Sequence, residues 1–138
     1  MESDDPSESE LTELPEVSYA GIKTFLQAEE SLPGDLTDEA EIGVIGVPYD
    51  GGVDGVAGAR HGPEALRKAS QKFAYFSEYK GRMVNIDTNR EVNYQELDIR
   101  DCNDVPIVPN DIKRTRYQIA AYVREASNHV FPVVLGGD

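Results

Sequence analysis

Residues 41–48, EIGVIGVP, form a short run of β-branched and small residues that carries almost no charge. Such a run predicts a strand that is buried on both faces, as happens where helices cover both sides of a parallel sheet. The run from Phe131 to Leu135 predicts a second strand of this kind, and the segment DIRDCNDV, residues 98–105, predicts a third. The segments between these strands then decide the fold class.

Two helices are predicted between the strands. Pro63 suits the first position of a helix, where its missing N–H costs nothing, and this helix extends to about Tyr79. Its apolar residues recur at helical spacing and make one stripe, which consists of Leu66, Ala69, Phe73 and Phe76. The second helix follows Asn110, a good N-cap, and Asp111, which is favourable at the positive end of a helix. Its apolar face consists of Ile112, Ile119, Tyr122, Val123 and Ala126.

Strands and helices therefore alternate along the chain. This order predicts an α/β fold, with a parallel sheet, right-handed crossovers and helices on both faces of the sheet. The segment MVNIDTNREV, residues 83–92, lies between the first helix and the next core strand and predicts a small hairpin arm.

The acidic charge of the chain is concentrated near its N-terminus. The formal net charge is −13, and residues 1–41 hold 13 acidic side chains against one lysine. Residues 1–17 are predicted to be a disordered acidic tail, residues 18–40 an arm that lies on the core, and residues 41–138 an α/β domain. An acidic arm repels nucleic acid and anionic lipid, so neither is an expected partner.

The sequence shows no sign of export or of membrane insertion. Its first ten residues, MESDDPSESE, lack the basic start and apolar centre of a signal peptide, and no apolar run approaches the length of a membrane span. The single cysteine, Cys102, fits a reducing compartment, and we expect a cytoplasmic protein.

Candidate site residues follow two of the predicted strands. The loop YDGGVDGVAGARHG, residues 49–62, follows the first strand, and GGD, residues 136–138, follows the last. In a parallel sheet, ligands bind beyond the carboxyl ends of the strands, so Asp50 and Asp138 could accept hydrogen bonds from a ligand there. A glycine-rich loop in this place is either a binding loop or simple turn geometry, and the residues leave both interpretations open. No dinucleotide fingerprint, P-loop or G-x-S-x-G motif occurs.

Five segments, in order and in spacing, resemble the ureohydrolases, and most of all the agmatinase branch of the arginase superfamily. They are YAGIKTF (19–25), IGVIGVPYDGG (42–52), GARHGPEALRKAS (58–70), DCNDVPIVPNDI (101–112) and PVVLGGD (132–138). The resemblance covers residues 19–138 and implies the N-terminal portion of an arginase-like three-layer sandwich.

The resemblance implies a hydrolase that uses two manganese ions to release urea and an amine from a small guanidino substrate, agmatine or a relative. It also implies a homo-oligomer for the complete protein. The metal-binding motifs of the family follow the GGD segment, so no metal ligand and no catalytic residue is assigned in this chain. We expect an N-terminal fragment that is inactive alone. A non-catalytic binding or regulatory module derived from the same fold is the alternative.

The resemblance also implies roles for individual residues. The loop at the active-site mouth, which shapes the substrate channel, matches Tyr49, Asp50, Gly51 and Gly52. The R-x-G-P-x-x-[IL]-R element, which fixes this loop to its helix, matches Arg60, Gly62, Pro63 and Arg67. Asp138 matches an aspartate near the metal ions, and a carboxylate that only hydrogen-bonds to backbone is the competing interpretation.

Overall fold

The computed structural model describes residues 21–75 and 81–138. The predicted tail at residues 1–17 lies outside this part of the chain, as do Phe76 and Tyr79 at the predicted end of the first helix. The strands are β1 (Glu29–Glu30), β2 (Ile42–Val47), β3 (Arg82–Asn85), β4 (Arg90–Asn93), β5 (Ile99–Asp104) and β6 (Phe131–Gly136). The α-helices are α1 (Gly62–Tyr75) and α2 (Ile112–Ser127).

The main sheet is parallel and has the strand order β1-β5-β2-β6. The middle of β2 is buried completely, with Val44 1% and Ile45 0% exposed. This burial on both faces follows from the uncharged β-branched sequence, because helices cover such a strand from both sides. The predicted α/β architecture is confirmed. Neither helix in the described residues is long and apolar enough to cross a membrane.

Helix α2 packs on one face of the sheet and builds an apolar core there. The buried residues of this core are Leu36, Ala40, Ile45, Val47, Cys102, Val105, Ala126 and Val130. Tyr122 of α2 donates its hydroxyl hydrogen to the carbonyl of Cys102, 2.7 Å away. The helix is capped by Asp111, whose carboxylate accepts from the Arg114 amide at 2.9 Å, so the prediction of Asn110 as the cap is wrong by one residue.

Helix α1 covers the other face with polar side chains. Its predicted apolar stripe does not face the sheet, since Leu66 is 46% and Phe73 60% exposed. Beyond Pro63, the buried positions of this helix are Arg67, Ser70 and Gln71. The helix is correctly predicted, but the face that it buries is not, because hydrophobic periodicity cannot detect a polar face whose groups are all paired.

Arg67 is the centre of this polar face. Its guanidinium donates from Nε to Asp101 Oδ2 at 2.8 Å and from Nη2 to Asp101 Oδ1 at 2.9 Å, and it donates from Nη1 to Asp104 at 2.6 Å. Burial alone would lower the pKa of Arg67, but the hydrogen bonds that it donates to these two carboxylates raise the pKa, so the guanidinium stays charged. Arg67 therefore ties α1 to β5 by a bidentate charged contact.

A β-bulge in β5 makes this double contact possible. Val44 of β2 pairs with Asp101, whereas Gly46 pairs with Asp104, so β5 contains one extra residue. The bulge contains Asn103 at φ 63°, a left-handed conformation that asparagine tolerates. Strict alternation would send Asp101 and Asp104 to opposite faces of the sheet, and the extra residue returns both carboxylates to the Arg67 side.

Strands β3 and β4 form a separate antiparallel hairpin, in the region where the sequence predicts a small hairpin arm. Its residues are almost all exposed, and Arg82 pairs with Glu91 at 3.1 Å across the two strands. Both partners of this ion pair are more than half exposed, which makes it a useful reference for the buried contact of Arg67.

We predict that Arg67→Met lowers the free energy of unfolding by about 3–5 kcal/mol, because it leaves the fully buried Asp101 carboxylate without its cation. The matched control is Arg82→Met, which removes an exposed ion pair and should cost no more than about 1 kcal/mol. Urea unfolding followed by circular dichroism measures both values. Equal effects of the two substitutions would contradict the central role of Arg67.

Candidate functional site

The carboxyl ends of β2, β5 and β6 lie at one edge of the sheet, because these strands are parallel neighbours. The loop that starts at Pro48 leaves β2 at this edge, and Gly137 and Asp138 leave β6 beside it. The N-terminus of α1 reaches the same edge, since a Cβ atom added to Gly62 would lie 2.7 Å from the carbonyl oxygen of Gly136. This is the edge at which open α/β sheets bind ligands.

The backbones after β2 and β6 remain hydrogen-bonded beyond the strands. The amide of Gly137 donates to the carbonyl of Val47 at 3.1 Å, and the amide of Asp138 donates to the carbonyl of Tyr49 at 2.7 Å. A Cβ atom added to Gly137 would lie 1.8 Å from that Tyr49 oxygen. Glycine is therefore required at position 137 for the two segments to approach this closely.

Asp50 and Arg60 close the loop after β2. The Asp50 carboxylate accepts from the Gly58 amide at 2.9 Å and from Arg60 Nε at 2.8 Å, and Arg60 Nη2 lies 2.6 Å from the same carboxylate. The Asp50 side chain is only 3% exposed, whereas that of Arg60 is 56% exposed. The hydrogen bond from Arg60 lowers the pKa of Asp50 from 3.8 to about 2, against the opposing effect of burial.

The other residues predicted at the mouth gather around Tyr49. A Cβ atom added to Gly51 would lie 2.1 Å from the Tyr49 hydroxyl oxygen, so the phenol ring covers this glycine. A Cβ atom added to Gly52 would lie 3.4 Å from the Asp138 carboxylate. The structure thus brings Tyr49, Gly51, Gly52 and Asp138 together. Their role at a substrate channel stays a prediction.

A cavity of about 290 Å³ opens beside this cluster. It is lined by Pro48, Tyr49, Asp50, Gly51, Arg60, Val105, Ile107 and Pro109. The last three residues follow β5, and the sequence analysis does not single them out. They could have been found from their position after a core strand, because the carboxyl end of β5 meets that of β2 at the same edge. The volume is near the lower end of the range for small-molecule sites, about 300–1,000 Å³.

The R-x-G-P-x-x-L-R element divides into two contacts. Arg60 binds Asp50 in the loop, and Arg67, seven residues later, binds Asp101 and Asp104 under the helix. Gly62 and Pro63 begin α1 between the two arginines, and Pro63 is buried. Both arginines therefore have a carboxylate partner within the fold.

The described residues do not make a metal site. No group of three or more His, Cys, Asp or Glu side chains that could hold a metal ion occurs at residues 21–75 and 81–138. Both oxygens of Asp50 accept from Arg60, and the Asp138 carboxylate lies near Gly52. Manganese therefore has no donor set in this part of the chain.

Comparison with known proteins gives one consistent family. The model of the Arginase family matches residues 40–138. The chain is 33% identical to a guanidinopropionase of Pseudomonas aeruginosa, in an alignment that covers 100% of this chain and 39% of that protein. It is 30% identical to an agmatinase of Chromobacterium violaceum, with 77% of this chain and 32% of the agmatinase covered.

A solved structure supports the same relation. Proclavaminate amidino hydrolase from Streptomyces clavuligerus superposes with a TM-score of 0.69 and 27% identity, over 89% of this chain and 37% of that protein. The chain therefore spans about two fifths or less of the length of these relatives.

We predict that Gly137→Ala destabilises the protein by about 1–3 kcal/mol, because the added methyl group overlaps the Tyr49 carbonyl and separates the two strand ends. The adjacent Gly136→Ala is the matched control, since no atom lies within 4 Å of its added Cβ, and it should change stability by less than about 0.5 kcal/mol. Urea unfolding and the amide chemical shifts of Tyr49 and Asp138 measure the effect. Similar results for both variants would contradict the close approach.

The Asp50–Arg60 contact predicts a dependence of stability on pH. Because folding lowers the pKa of Asp50 from 3.8 to about 2, its contribution is fully present above pH 4 and is lost as the pH falls through 2. The difference in unfolding free energy between the wild type and Asp50→Asn should therefore shrink between pH 4 and pH 2. Carboxyl ¹³C shifts of Asp50 give the pKa directly, and a midpoint near 3.8 would contradict the prediction.

Proposed function

The chain belongs to the arginase family, and on that premise we propose that it forms the substrate mouth of an agmatinase-like ureohydrolase. Family membership confirms the resemblance that the five sequence segments indicate. The observation that carries the proposal is the match of residues 40–138 to the family model, since this range contains β2, β5 and β6 and the loops at their carboxyl ends. The reaction is hydrolysis of an amidino C–N bond, which releases urea and an amine.

In the proposed function, the residues of this chain give the substrate mouth its shape. Tyr49 and the glycines at 51 and 52 make a surface close to the backbone, and the cavity beside them gives room for a small guanidino compound. The contact between Asp50 and Arg60 keeps the loop closed, so this surface, here called the wall of the cavity, is present before a ligand binds. Asp138 extends the wall on the side of β6.

Agmatine or a close relative is the first candidate for the substrate. A guanidino carboxylate is the second, and a specific feature favours it. Asp50 is buried under Arg60, whereas the Arg60 side chain is 56% exposed at the cavity, so the member of this ion pair that a ligand can reach is the cation. The guanidinium of Arg60 binds the carboxylate of a guanidino carboxylate better than it binds the terminal amine of agmatine. A guanidinopropionase of Pseudomonas aeruginosa aligns with the whole chain.

For the complete protein we propose two manganese ions, a homo-oligomer and a cytoplasmic location. These proposals rest on membership of the family and on the single buried cysteine, Cys102. The ligands for manganese would come from residues other than those described here. Residues 1–138 alone are proposed to lack activity.

A chimera tests the proposal. Residues 1–138 replace the aligned N-terminal region of the Pseudomonas aeruginosa guanidinopropionase, and urea release is measured with added manganese on agmatine and on 3-guanidinopropionate. We predict urea release by the chimera and none by residues 1–138 alone. Arg60→Gln in the chimera should raise KM for 3-guanidinopropionate more than KM for agmatine, because it removes the exposed cation at the cavity. Arg82→Gln, which removes an exposed cation in the hairpin of β3 and β4, is the control.

Two results would contradict these proposals. A folded chimera that releases no urea from either compound would contradict the assignment of this chain to a ureohydrolase mouth. Urea release by the purified 138-residue polypeptide would contradict the assignment of the metal site to other residues. An equal change of both KM values in Arg60→Gln would reject only the second substrate candidate.

A further inference from the structure

Residues 24–31, here called the strap, lie across the polar face of α1 and the edge of β5. The strap contains one 3₁₀ turn, Phe25–Gln27, and the short strand β1, which pairs in parallel with β5. It lies on the polar face of α1, whose burial the hydrophobic pattern of the helix does not predict. Two of the buried side chains of this face, Ser70 and Gln71, bind the strap.

The strap is attached mainly by its own backbone. The Phe25 amide donates to Asp101 Oδ2 at 2.7 Å, and the Leu26 amide donates to Ser70 Oγ at 2.8 Å. Gln71 Nε2 donates to the Thr24 carbonyl at 2.6 Å. These are polar contacts to side chains of α1 and β5, and the turn itself buries no residue. Segments with few buried apolar contacts open at lower free energy than the core around them.

The turn of the strap is strained. Leu26 has φ 54° and Gln27 has φ 59°, so two consecutive residues that are not glycine adopt the left-handed conformation. Such strain persists only where surrounding contacts determine the conformation. Release of the strap relieves the strain, which lowers the free energy needed to detach it. Gln27 is exposed, so a substitution there changes the strain while it removes little packing.

The attachment of the strap is shared with Arg67. Oδ2 of Asp101 accepts from the Phe25 amide and also from Arg67 Nε at 2.8 Å. The carbonyl of Arg67 accepts from Ser70 Oγ at 2.7 Å and from Gln71 Nε2 at 3.1 Å. Arg67 in turn binds Asp104 at the carboxyl end of β5. The Asp101 carboxylate therefore links the strap to Arg67. Arg67 extends this link to Asp104, at the edge of the sheet that carries the candidate site.

We propose that the strap is a detachable element that opens by local unfolding, and that its docked state holds Asp101, Arg67 and Asp104 in the arrangement seen here. Opening removes one of the donors to Asp101 and exposes the polar face of α1. The fold then has two states, strap docked and strap released, and the second leaves the sheet of β2, β5 and β6 intact. The proposal concerns the fold and does not depend on the proposed function.

Native-state hydrogen exchange on the 138-residue chain tests the proposal. We expect the amides of Phe25, Leu26 and Ser31 to exchange together, and faster than the amides of Ile45 and Val105. Gln27→Gly should slow the strap amides by about threefold to tenfold, because glycine adopts positive φ without strain. Gln27→Val should accelerate them by at least about fivefold, since a β-branched residue resists this conformation.

A matched control and a second readout complete the experiment. Asn89 also has positive φ, 51°, but lies in the turn of the hairpin, so Asn89→Gly should leave the strap amides unchanged. The Arg67 Nε–H resonance should shift in Gln27→Val and not in Asn89→Gly. Strap amides that exchange at the rate of the core amides would overturn the proposal. So would Gln27 variants that change no rate, or that change all rates alike.

Discussion

One buried guanidinium determines how the layers of this protein fit together. Arg67 lies between α1 and the sheet and binds two carboxylates, of which Asp101 is fully buried. A charge in this position is stable only with partners in good geometry, because its desolvation costs several kcal/mol. The bulge at Asn103 is the backbone feature that supplies the second partner. The helix, the strand and the bulge therefore depend on one another, and none of them can change alone.

The same anchor fixes the beginning of the loop at the candidate site. Arg67 holds the second turn of α1 against β5, so Gly62 must lie against the end of β6. The loop from Pro48 then has to return to this point, and Asp50 closes it by binding Arg60 just before the helix. A contact under the helix thus determines where the mouth loop can lie. The arginine-containing element is structural in this sense, although its effect reaches the site.

The sequence predicts the apolar parts of this fold better than its polar parts. Strand β2 and the apolar face of α2 near Ala126 are recognisable because burial there follows hydrophobicity. Strand β6 is predicted as a strand, but the prediction that it is buried is wrong, because β6 is an edge strand of the sheet, in which Phe131 is 72% and Val134 46% exposed. The buried face of α1 is not recognisable, since Ser70 and Gln71 are polar, yet both are buried and hydrogen-bonded to the strap. The bulge at Asn103 has no sequence pattern of its own. At the site, the meeting of Asp138 with the loop after β2 and the place of Ile107 after β5 follow from the parallel sheet, whereas the contact between Asp50 and Arg60 requires the structure.

The backbone and the side chains have different parts in the proposed mouth. Any side chain at position 137 would collide with the carbonyl of Tyr49. The main chain therefore determines the shape of the mouth at this point, and substitutions cannot adapt it to another substrate. The tip of the loop is different: Val56 is 95% exposed, and an added Cβ at Gly55 would touch nothing within 4 Å. Substitutions at the tip therefore change the chemistry of the mouth without disturbing its frame. If the chain forms the proposed mouth, we expect discrimination among guanidino compounds to arise at the loop tip, because a side chain can change there while the strand ends stay joined and Asp50 stays bound to Arg60.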